Sequence, residues 1–121
     1  MKNIKVTIYT KEMGRVDLNK QEYQDFDFES VIKHRTDGPA AIEYYESGSI
    51  NFEIYTINNK FHRTDGPAVI EYYEDGEVMD EVYFIDDNCY IKEDYDILIN
   101  EMKVLPKSLK LTHKDWWVRE L

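Results

Sequence analysis

An internal repeat constrains this chain more than any other feature of its sequence. The heptapeptide His-Arg-Thr-Asp-Gly-Pro-Ala begins at His34 and recurs unchanged at His62, which sets a period of 28 residues. Sixteen of the 28 aligned positions are identical between 34–61 and 62–89. A repeat of this length corresponds to one supersecondary unit that buries its apolar side against its neighbours. One period upstream, 22–33 is interpreted as a decayed third copy on a much weaker alignment.

Each copy has the pattern of a β-hairpin. Two runs rich in Ile, Val and Tyr alternate in polarity, at 40–45 and 49–57 in the first copy and at 68–73 and 77–85 in the second. A three-residue loop ending in glycine joins the runs, which fits a type I turn followed by a left-handed residue. The repeats therefore predict a mainly β fold with minor α content, an antiparallel meander of hairpins.

The loop length also predicts the register, and with it the two faces of the sheet. A three-residue loop pairs Tyr72 with Val78, and strict alternation from that pair places one apolar set on a core face. The set is Ile42, Tyr44, Ile50, Phe52 and Ile54 in the first copy, and Ile70, Tyr72, Val78, Val82 and Phe84 in the second. The opposite face is the predicted partner-binding surface, made of Glu43, Tyr45, Glu53, Tyr55, Glu71, Tyr73, Glu77, Glu81 and Tyr83.

Acidic residues are concentrated in the middle of the chain. The formal net charge is −10, yet residues 43–101 alone hold 16 acidic and three basic side chains. Such a surface repels phosphates and anionic lipid, which argues against direct nucleic-acid binding and against a membrane partner. Tyrosine is favoured in interface hot spots. Carboxylates two residues apart on a strand are about 6.6 Å from each other, which is near the distance between successive phosphates along one nucleic-acid strand. We therefore expect a basic protein partner; the alternative is an ordinary solvated face.

The same residues carry a resemblance to known proteins. The heptapeptide, followed by an Ile-Glu-Tyr-Tyr hairpin and a glycine turn, resembles the HRxDGPA repeats of small bacterial, viral and phage proteins. Those are similar to a divergent branch of MORN (membrane occupation and recognition nexus) repeats, although true MORN units carry a His-Gly-x-Gly element here. The resemblance covers about residues 34–89. It implies a hairpin ladder for protein contacts without catalytic residues, for example a phage or viral inhibitor of a host defence or nucleic-acid-binding protein that acts by charge mimicry.

Catalytic and metal chemistry finds little support in the sequence. His34 with Asp37, and His62 with Asp65, supply two ligands per loop, whereas zinc needs three or four. No serine has a Gly-x-Ser-x-Gly setting, and no glycine-rich phosphate loop occurs. We expect no enzyme, no metal and no cofactor. Cys89 is the only cysteine, which excludes an intramolecular disulfide and favours a reducing, cytoplasmic location.

The flanks complete a single domain over 1–121. Residues 1–33 begin with an alternating strand at 4–10, and Asn19 with Glu22 resembles a capping box that starts a short helix over 20–26. Residues 90–121 contain an amphipathic helix near 92–104, long enough to cap the sheet.

Beyond that helix, a basic tail over 107–121 carries Trp116 and Trp117. Two interpretations of the tail stay open, docking on the acidic body or use as a partner-binding arm. A second function also stays open for the whole chain, a structural or assembly module that associates through its sheet edges.

Overall fold

The structure is a computed structural model that describes residues 3–104. It is mainly antiparallel β with a C-terminal helix, so the predicted fold class is confirmed. Seven strands form one sheet in the order β2-β1-β3-β4-β7-β8-β9. Their bounds are β1 Ile4–Thr10, β2 Gly14–Asn19, β3 Ala41–Tyr44, β4 Ile50–Ile54, β7 Val69–Tyr72, β8 Val78–Ile85 and β9 Asn88–Tyr90. A separate small hairpin consists of β5 (Thr56–Ile57) and β6 (Lys60–Phe61), and the helices are α1 (Lys20–Asp25) and α2 (Lys92–Val104).

The N-terminal segment folds largely as its local signals predict. Strand β1 and helix α1 are both present, and α1 begins with a complete capping box. Asn19 Oδ1 accepts the Glu22 N–H at 2.8 Å, while Glu22 Oε1 accepts the Asn19 N–H at 2.9 Å. Residues 22–33 therefore hold most of α1 and a 3-10 turn (Phe28–Ser30) rather than a third hairpin. Only their last residue, Lys33, takes a strand-like place, bridging Thr10.

The order of the strands departs from a simple meander at the N-terminus. After β2 and α1 the chain returns so that β3 pairs with β1, which leaves β2 at the edge. Strands β4 and β7 are neighbours although the small β5–β6 hairpin separates them in sequence. That hairpin turns at Asn58 and Asn59, whose φ angles are 51° and 67°; Asp86 and Asp87 turn in the same way at 49° and 67°. Positive φ at both central residues is typical of the type I′ turns that suit twisted hairpins.

The predicted register is confirmed at each hairpin loop and wrong beyond it. Tyr72 pairs with Val78 as expected, but Ile70 pairs with Glu81 instead of Asp80. The cause is a register shift that leaves Met79 as an extra residue, a β-bulge. The first copy has the same shift at the equivalent place, between the Tyr44–Ile50 and Glu43–Phe52 pairs.

Each bulge reverses the inward and outward positions along the second strand of its hairpin, because side chains alternate with period two. One face, here called the loop face, carries Thr7, Ile42, Glu53, Ile70 and Glu81, which pair across neighbouring strands. The opposite face carries Val6, Glu43, Phe52, Glu71 and Asp80. The predicted apolar sets are thus divided, with Ile42 and Ile70 on one side and Phe52 and Val82 on the other.

The buried core lies at the two ends of the sheet and on different sides. At the N-terminal end, Val6, Ile8 and Leu18 are buried on the opposite face, under Phe26 and Phe28. At the C-terminal end, α2 covers the loop face, where Tyr95 and Ile99 pack with Ile85 among Tyr83, Tyr90, Leu98 and Met102. The predicted helical cap is confirmed. The predicted tail over 107–121 lies outside the described residues.

Candidate protein-interaction surface

The two His-Arg-Thr-Asp-Gly-Pro loops are built around an arginine that stacks on a tyrosine. The guanidinium carbon of Arg63 lies 3.9 Å from the ring centroid of Tyr55. Its Nε donates to Asp65 at 2.9 Å, and its Nη1 donates to the Pro67 carbonyl oxygen at 3.0 Å. The first loop repeats the arrangement with Arg35, Asp37 and Pro39, and its arginine stacks on Tyr9 at 3.9 Å. The hydrogen bond from Arg35 holds the pKa of Asp37 below its ordinary value.

Both histidines of the repeat serve as hydrogen-bond acceptors at turns. His34 Nδ1 accepts the Asn58 N–H, and His62 Nδ1 accepts the Asp86 N–H, each at 3.1 Å. Burial lowers the pKa of His62, and the charge of Asp86 opposes that effect only in part. An unprotonated Nδ1 is required for this geometry, because a protonated ring nitrogen cannot accept a hydrogen bond. Within residues 3–104, no group of three or more His, Cys, Asp or Glu side chains is placed to hold a metal ion.

The nine residues predicted to form one binding face do not share a face. Glu43 and Glu71 lie on the opposite face, since both pair with Phe52. Glu53 and Glu81 lie on the loop face, paired with Ile42 and Ile70. The expectation of a single Glu/Tyr surface is therefore wrong, and the reason is the bulge in each hairpin.

Three of the four predicted tyrosines are committed to contacts within the molecule. Tyr55 lies beneath Arg63, and Tyr83 packs against Tyr95 with ring centroids 4.8 Å apart. The Tyr45 hydroxyl donates to the carbonyl oxygen of Tyr72 at 2.7 Å. Tyr73 differs, because half of its surface is exposed.

Two of the three acidic side chains of the first hairpin, Glu43 and Glu53, have partners. Glu43 accepts from Asn51 Nδ2 at 3.0 Å and lies 3.8 Å from Lys5 Nζ. Glu53 accepts from the Tyr72 hydroxyl at 2.5 Å. Burial and this hydrogen bond together raise the pKa of Tyr72 to about 12. These carboxylates are engaged inside the fold and are poorly available to a partner.

The second hairpin differs sharply from the first in charge. Residues 71–81, here called the acidic hairpin, contain six acidic side chains and no basic one, whereas the equivalent 43–53 contain three acidic ones. All six are exposed. They are Glu71, Glu74, Asp75, Glu77, Asp80 and Glu81. Among the described residues none of the six forms a salt bridge; Asp75 and Asp80 accept only backbone N–H groups of the hairpin.

Two of these carboxylates face each other across the strands. Glu71 pairs directly with Asp80 on the opposite face. Like charges at directly opposed positions destabilise a sheet by a few tenths to about 1 kcal/mol. The equivalent pair in the first hairpin is Glu43 with Phe52, which carries no such repulsion. The second copy therefore keeps a charge arrangement that opposes its own folding.

Exposed apolar groups accompany these charges. Tyr73 and Val78 are each 50% exposed, and Met79, the bulged residue, is 44% exposed. The outer edge of β8 is also open here, because β9 pairs only with residues 83–85 and no described strand covers 78–82. The acidic hairpin thus combines charge, apolar area and a free strand edge.

The sequence prediction missed Glu74, Asp75, Val78, Met79 and Asp80 as members of this surface. A usable signal was present in the comparison of the two copies. Ser47, Ser49 and Phe52 of the first copy are replaced by Asp75, Glu77 and Asp80 in the second. Because these three changes all introduce a carboxylate, they set the second hairpin apart from the first in charge.

Comparisons with known proteins give no match. No family model matches the chain, and neither a curated protein nor a solved structure is detectably similar to it. In the part of the chain that the structure describes, no helix is long and apolar enough to cross a membrane.

Proposed function

We propose that this protein is a non-enzymatic interaction protein that binds a basic protein surface through the acidic hairpin. The observation that carries the proposal is the set of six exposed carboxylates in residues 71–81, which lack salt-bridge partners among the described residues. A basic partner would neutralise them and would relieve the repulsion between Glu71 and Asp80. Such complementarity mainly accelerates association and selects the partner.

The apolar groups of the hairpin supply the part of the affinity that charge does not. Tyr73, Val78 and Met79 stand between the carboxylates, and Tyr and Met are enriched in interfaces. Burying such side chains in the centre of a contact, with charges at the rim, is the usual arrangement of an interface hot spot. The partner surface should therefore be basic with an apolar depression.

A concrete form of this proposal is an inhibitor that occupies the basic groove of a host defence or nucleic-acid-binding protein by charge mimicry. The resemblance of the heptapeptide to repeats in phage and viral proteins motivates it. The mimicry would rest on the clustering of carboxylates at one hairpin, since the bulge at Met79 interrupts the regular spacing along the strand. A reducing, cytoplasmic location belongs to the same proposal.

The test compares two variants with the same change in net charge. The first removes three of the six carboxylates of the acidic hairpin with Glu71→Gln, Glu77→Gln and Glu81→Gln. The matched control removes three carboxylates of α2 with Glu93→Gln, Asp94→Asn and Glu101→Gln. A basic protein obtained by affinity capture is purified and titrated against each variant by calorimetry. We expect at least a tenfold loss of affinity for the hairpin variant and less than a twofold change for the control.

Salt provides the second readout of the same experiment. Binding steered by exposed charges weakens as the Debye length falls from about 10 Å at 0.1 M salt to about 3 Å at 1 M. A captured protein that binds both variants equally, or whose affinity ignores salt, would falsify the proposal. A partner that loses affinity equally with both variants responds to net charge alone and also contradicts it.

A second candidate function is assembly through sheet edges. Strands β2 and β9 end the seven-stranded order, so each has one side without a strand partner among residues 3–104. Free edges can pair with another copy of the chain. Sedimentation velocity over a hundredfold range of concentration distinguishes the two: growing oligomers favour assembly, and a constant monomer contradicts it.

A further inference from the structure

The second His-Arg-Thr-Asp-Gly-Pro loop holds the hydroxyl group of a tyrosine. Tyr95, on α2, donates its hydroxyl to the carbonyl oxygen of Arg63 at 2.6 Å. The Tyr95 hydroxyl oxygen also lies 3.0 Å from the Gly66 carbonyl oxygen, and it accepts the Gly66 N–H at 3.2 Å. The loop backbone thus forms a three-atom receptor for a phenolic hydroxyl.

The first loop has the same sequence and the same internal bonds. Arg35 contacts Asp37 and Pro39 as Arg63 contacts Asp65 and Pro67, with Nε to carboxylate distances of 2.9 Å in both. A Cβ added at Gly38 would lie 2.8 Å from the Arg35 guanidinium carbon, against 2.9 Å for the equivalent pair in the second loop. The contacts that the arginine makes within the two loops therefore match closely.

In the part of the chain that the structure describes, no hydroxyl group bonds to the equivalent backbone atoms of the first loop. Among the described residues, the Gly38 N–H and carbonyl oxygen and the Arg35 carbonyl oxygen have no hydrogen-bond partner. In the second loop, the equivalent three groups are all bonded to Tyr95. The difference is that α2 lies against the second loop only.

A groove of about 520 Å³ opens in front of the first loop. Its walls are the loop residues 35–38, the second loop at 62–65, and Tyr55 with Ile57. A cavity of about 150 Å³ is enough to hold a benzene ring, so a phenol with some adjoining chain fits here. Tyr55, which forms part of this wall, has the place in the first copy that Tyr83 has in the second, and the Tyr83 ring packs on Tyr95 with ring centroids 4.8 Å apart.

No tyrosine of the chain itself is available to fill this groove. All ten tyrosines lie between residues 9 and 95, so residues 105–121 contain none. Eight of the ten are engaged with other parts of the fold or packed in the C-terminal core. They are Tyr9, Tyr44, Tyr45, Tyr55, Tyr72, Tyr83, Tyr90 and Tyr95. Tyr23 packs on Phe28, on the opposite face, and Tyr73 belongs to the acidic hairpin.

We propose that the groove between the two loops binds a tyrosine side chain of another polypeptide, with its hydroxyl on the backbone of Arg35 and Gly38 and its ring against Tyr55. The bound residue would reproduce at the first loop what Tyr95 does at the second. This site is separate from the acidic hairpin, so either proposal can fail without the other.

The experiment uses a matched pair of small probes on the full chain. N-acetyl-tyrosinamide and N-acetyl-phenylalaninamide differ only in the hydroxyl group, and each is titrated into ¹⁵N-labelled protein. We expect the tyrosine probe to shift the amide signals of Thr36 and Gly38 in a saturable way and to leave Gly66 unchanged. The phenylalanine probe should bind at least tenfold more weakly, because a site built for a hydroxyl leaves polar groups unpaired without it.

A blocking variant tests the position of the site. Thr36→Trp fills the groove from an exposed position and should abolish the shift at Gly38; Ser47→Trp, at the exposed turn of the first hairpin, should not. The proposal is overturned if the two probes act equally, if the tyrosine probe moves Gly66 rather than Gly38, or if Gly38 shows no saturable shift up to the solubility limit of the probe. Unchanged binding to Thr36→Trp would equally overturn it.

Discussion

The guanidinium carbon of Arg35 lies 3.9 Å from the ring centroid of Tyr9, and this stack determines which residue can stand at position 38. The arginine lies between the ring and the loop backbone, held by Asp37 and by the carbonyl oxygen of Pro39. A Cβ at Gly38 would approach the guanidinium to 2.8 Å, closer than real Cβ atoms come to their neighbours. Arg35, Gly38 and Tyr9 therefore form one packed unit, although Tyr9 lies 26 residues from Arg35 in sequence.

Gly38→Ala is expected to destabilise the protein by about 0.5–2 kcal/mol, because the added methyl group must displace the Arg35 guanidinium from its stack on Tyr9 and from its bonds to Asp37 and Pro39. Urea denaturation measures the change in the free energy of unfolding. The control is the same substitution made in Arg35→Ala, where the obstacle is gone. If Gly38→Ala lowers the free energy of unfolding by the same amount in Arg35→Ala as in the wild type, the contact with the guanidinium is not the cause.

Tyr95→Phe is expected to destabilise the protein by about 1–3 kcal/mol. The ring stays in the core, but the Arg63 and Gly66 backbone groups lose their partner. The measurement is again denaturant unfolding, with Tyr73→Phe as the control, since that half-exposed tyrosine has no hydroxyl partner among the described residues. Equal effects of the two substitutions would show that the hydroxyl contact contributes nothing.

Tyr72 is expected to make stability fall at high pH. Burial and the hydrogen bond to Glu53 raise its pKa to about 12 in the folded state, against about 10 in the unfolded chain. Because the folded pKa is the higher one, the stabilisation is complete below pH 10 and is lost as the pH rises from 10 to 12. Unfolding free energies of the wild type and Tyr72→Phe, measured between pH 9 and 12, should converge as the pH rises; parallel curves would refute this assignment.

His62 is expected to make stability fall on mild acidification. Burial lowers its pKa in the folded state, so the neutral ring is favoured and its contribution is complete above the unfolded pKa of about 6.5. Stability is lost as the pH falls from there toward the lowered folded pKa, because the unfolded chain binds the proton first. His62→Asn keeps an acceptor for the Asp86 N–H and removes the titration. Its unfolding free energy should vary less than that of the wild type between pH 7 and 5.5, and an unchanged slope would exclude His62 as the source.

Asp80→Asn is expected to stabilise the protein by about 0.2–1 kcal/mol, since it removes the repulsion with Glu71. The gain should shrink as salt is raised from 0.05 M to 1 M. Thermal or urea unfolding at both salt concentrations measures it, and Glu93→Gln on α2 controls for net charge. If Asp80→Asn is neutral or destabilising at low salt, the cross-strand repulsion inferred here is absent.

The local elements of the fold were predictable because their signals are local. The capping box at Asn19 and Glu22, the apolar spacing over 92–104, and the glycine-ended hairpin loops each depend on contacts within a few residues. The positive-φ turn at Asn58 and Asn59 belongs to the same group, because these residue types tolerate that conformation on their own.

The candidate site was harder to predict because a bulge leaves no local trace. The pattern of apolar and polar residues over 78–85 is the same whether Met79 is paired or bulged. The bulge nevertheless has two consequences: Asp80 lies opposite Glu71, and Glu81 moves to the other face of the sheet. The predicted surface was therefore wrong in its geometry, because its glutamates are divided between the two faces of the sheet. Only pairing with β7, and packing of α2 on Tyr83, fixes which side each residue takes.

The amino-acid sequence by itself thus determined the hairpins, their loops, both helices and the acidic character of the second copy, since each follows from neighbours along the chain. Tertiary structure alone decided the bulged register, the partial burial of Tyr55 and Tyr83 and the exposure of the acidic hairpin. It also placed one identical loop under Tyr95 and left the other beside an open groove. The physical reason is that side-chain facing and hydrogen-bond satisfaction depend on strands and helices far away in sequence.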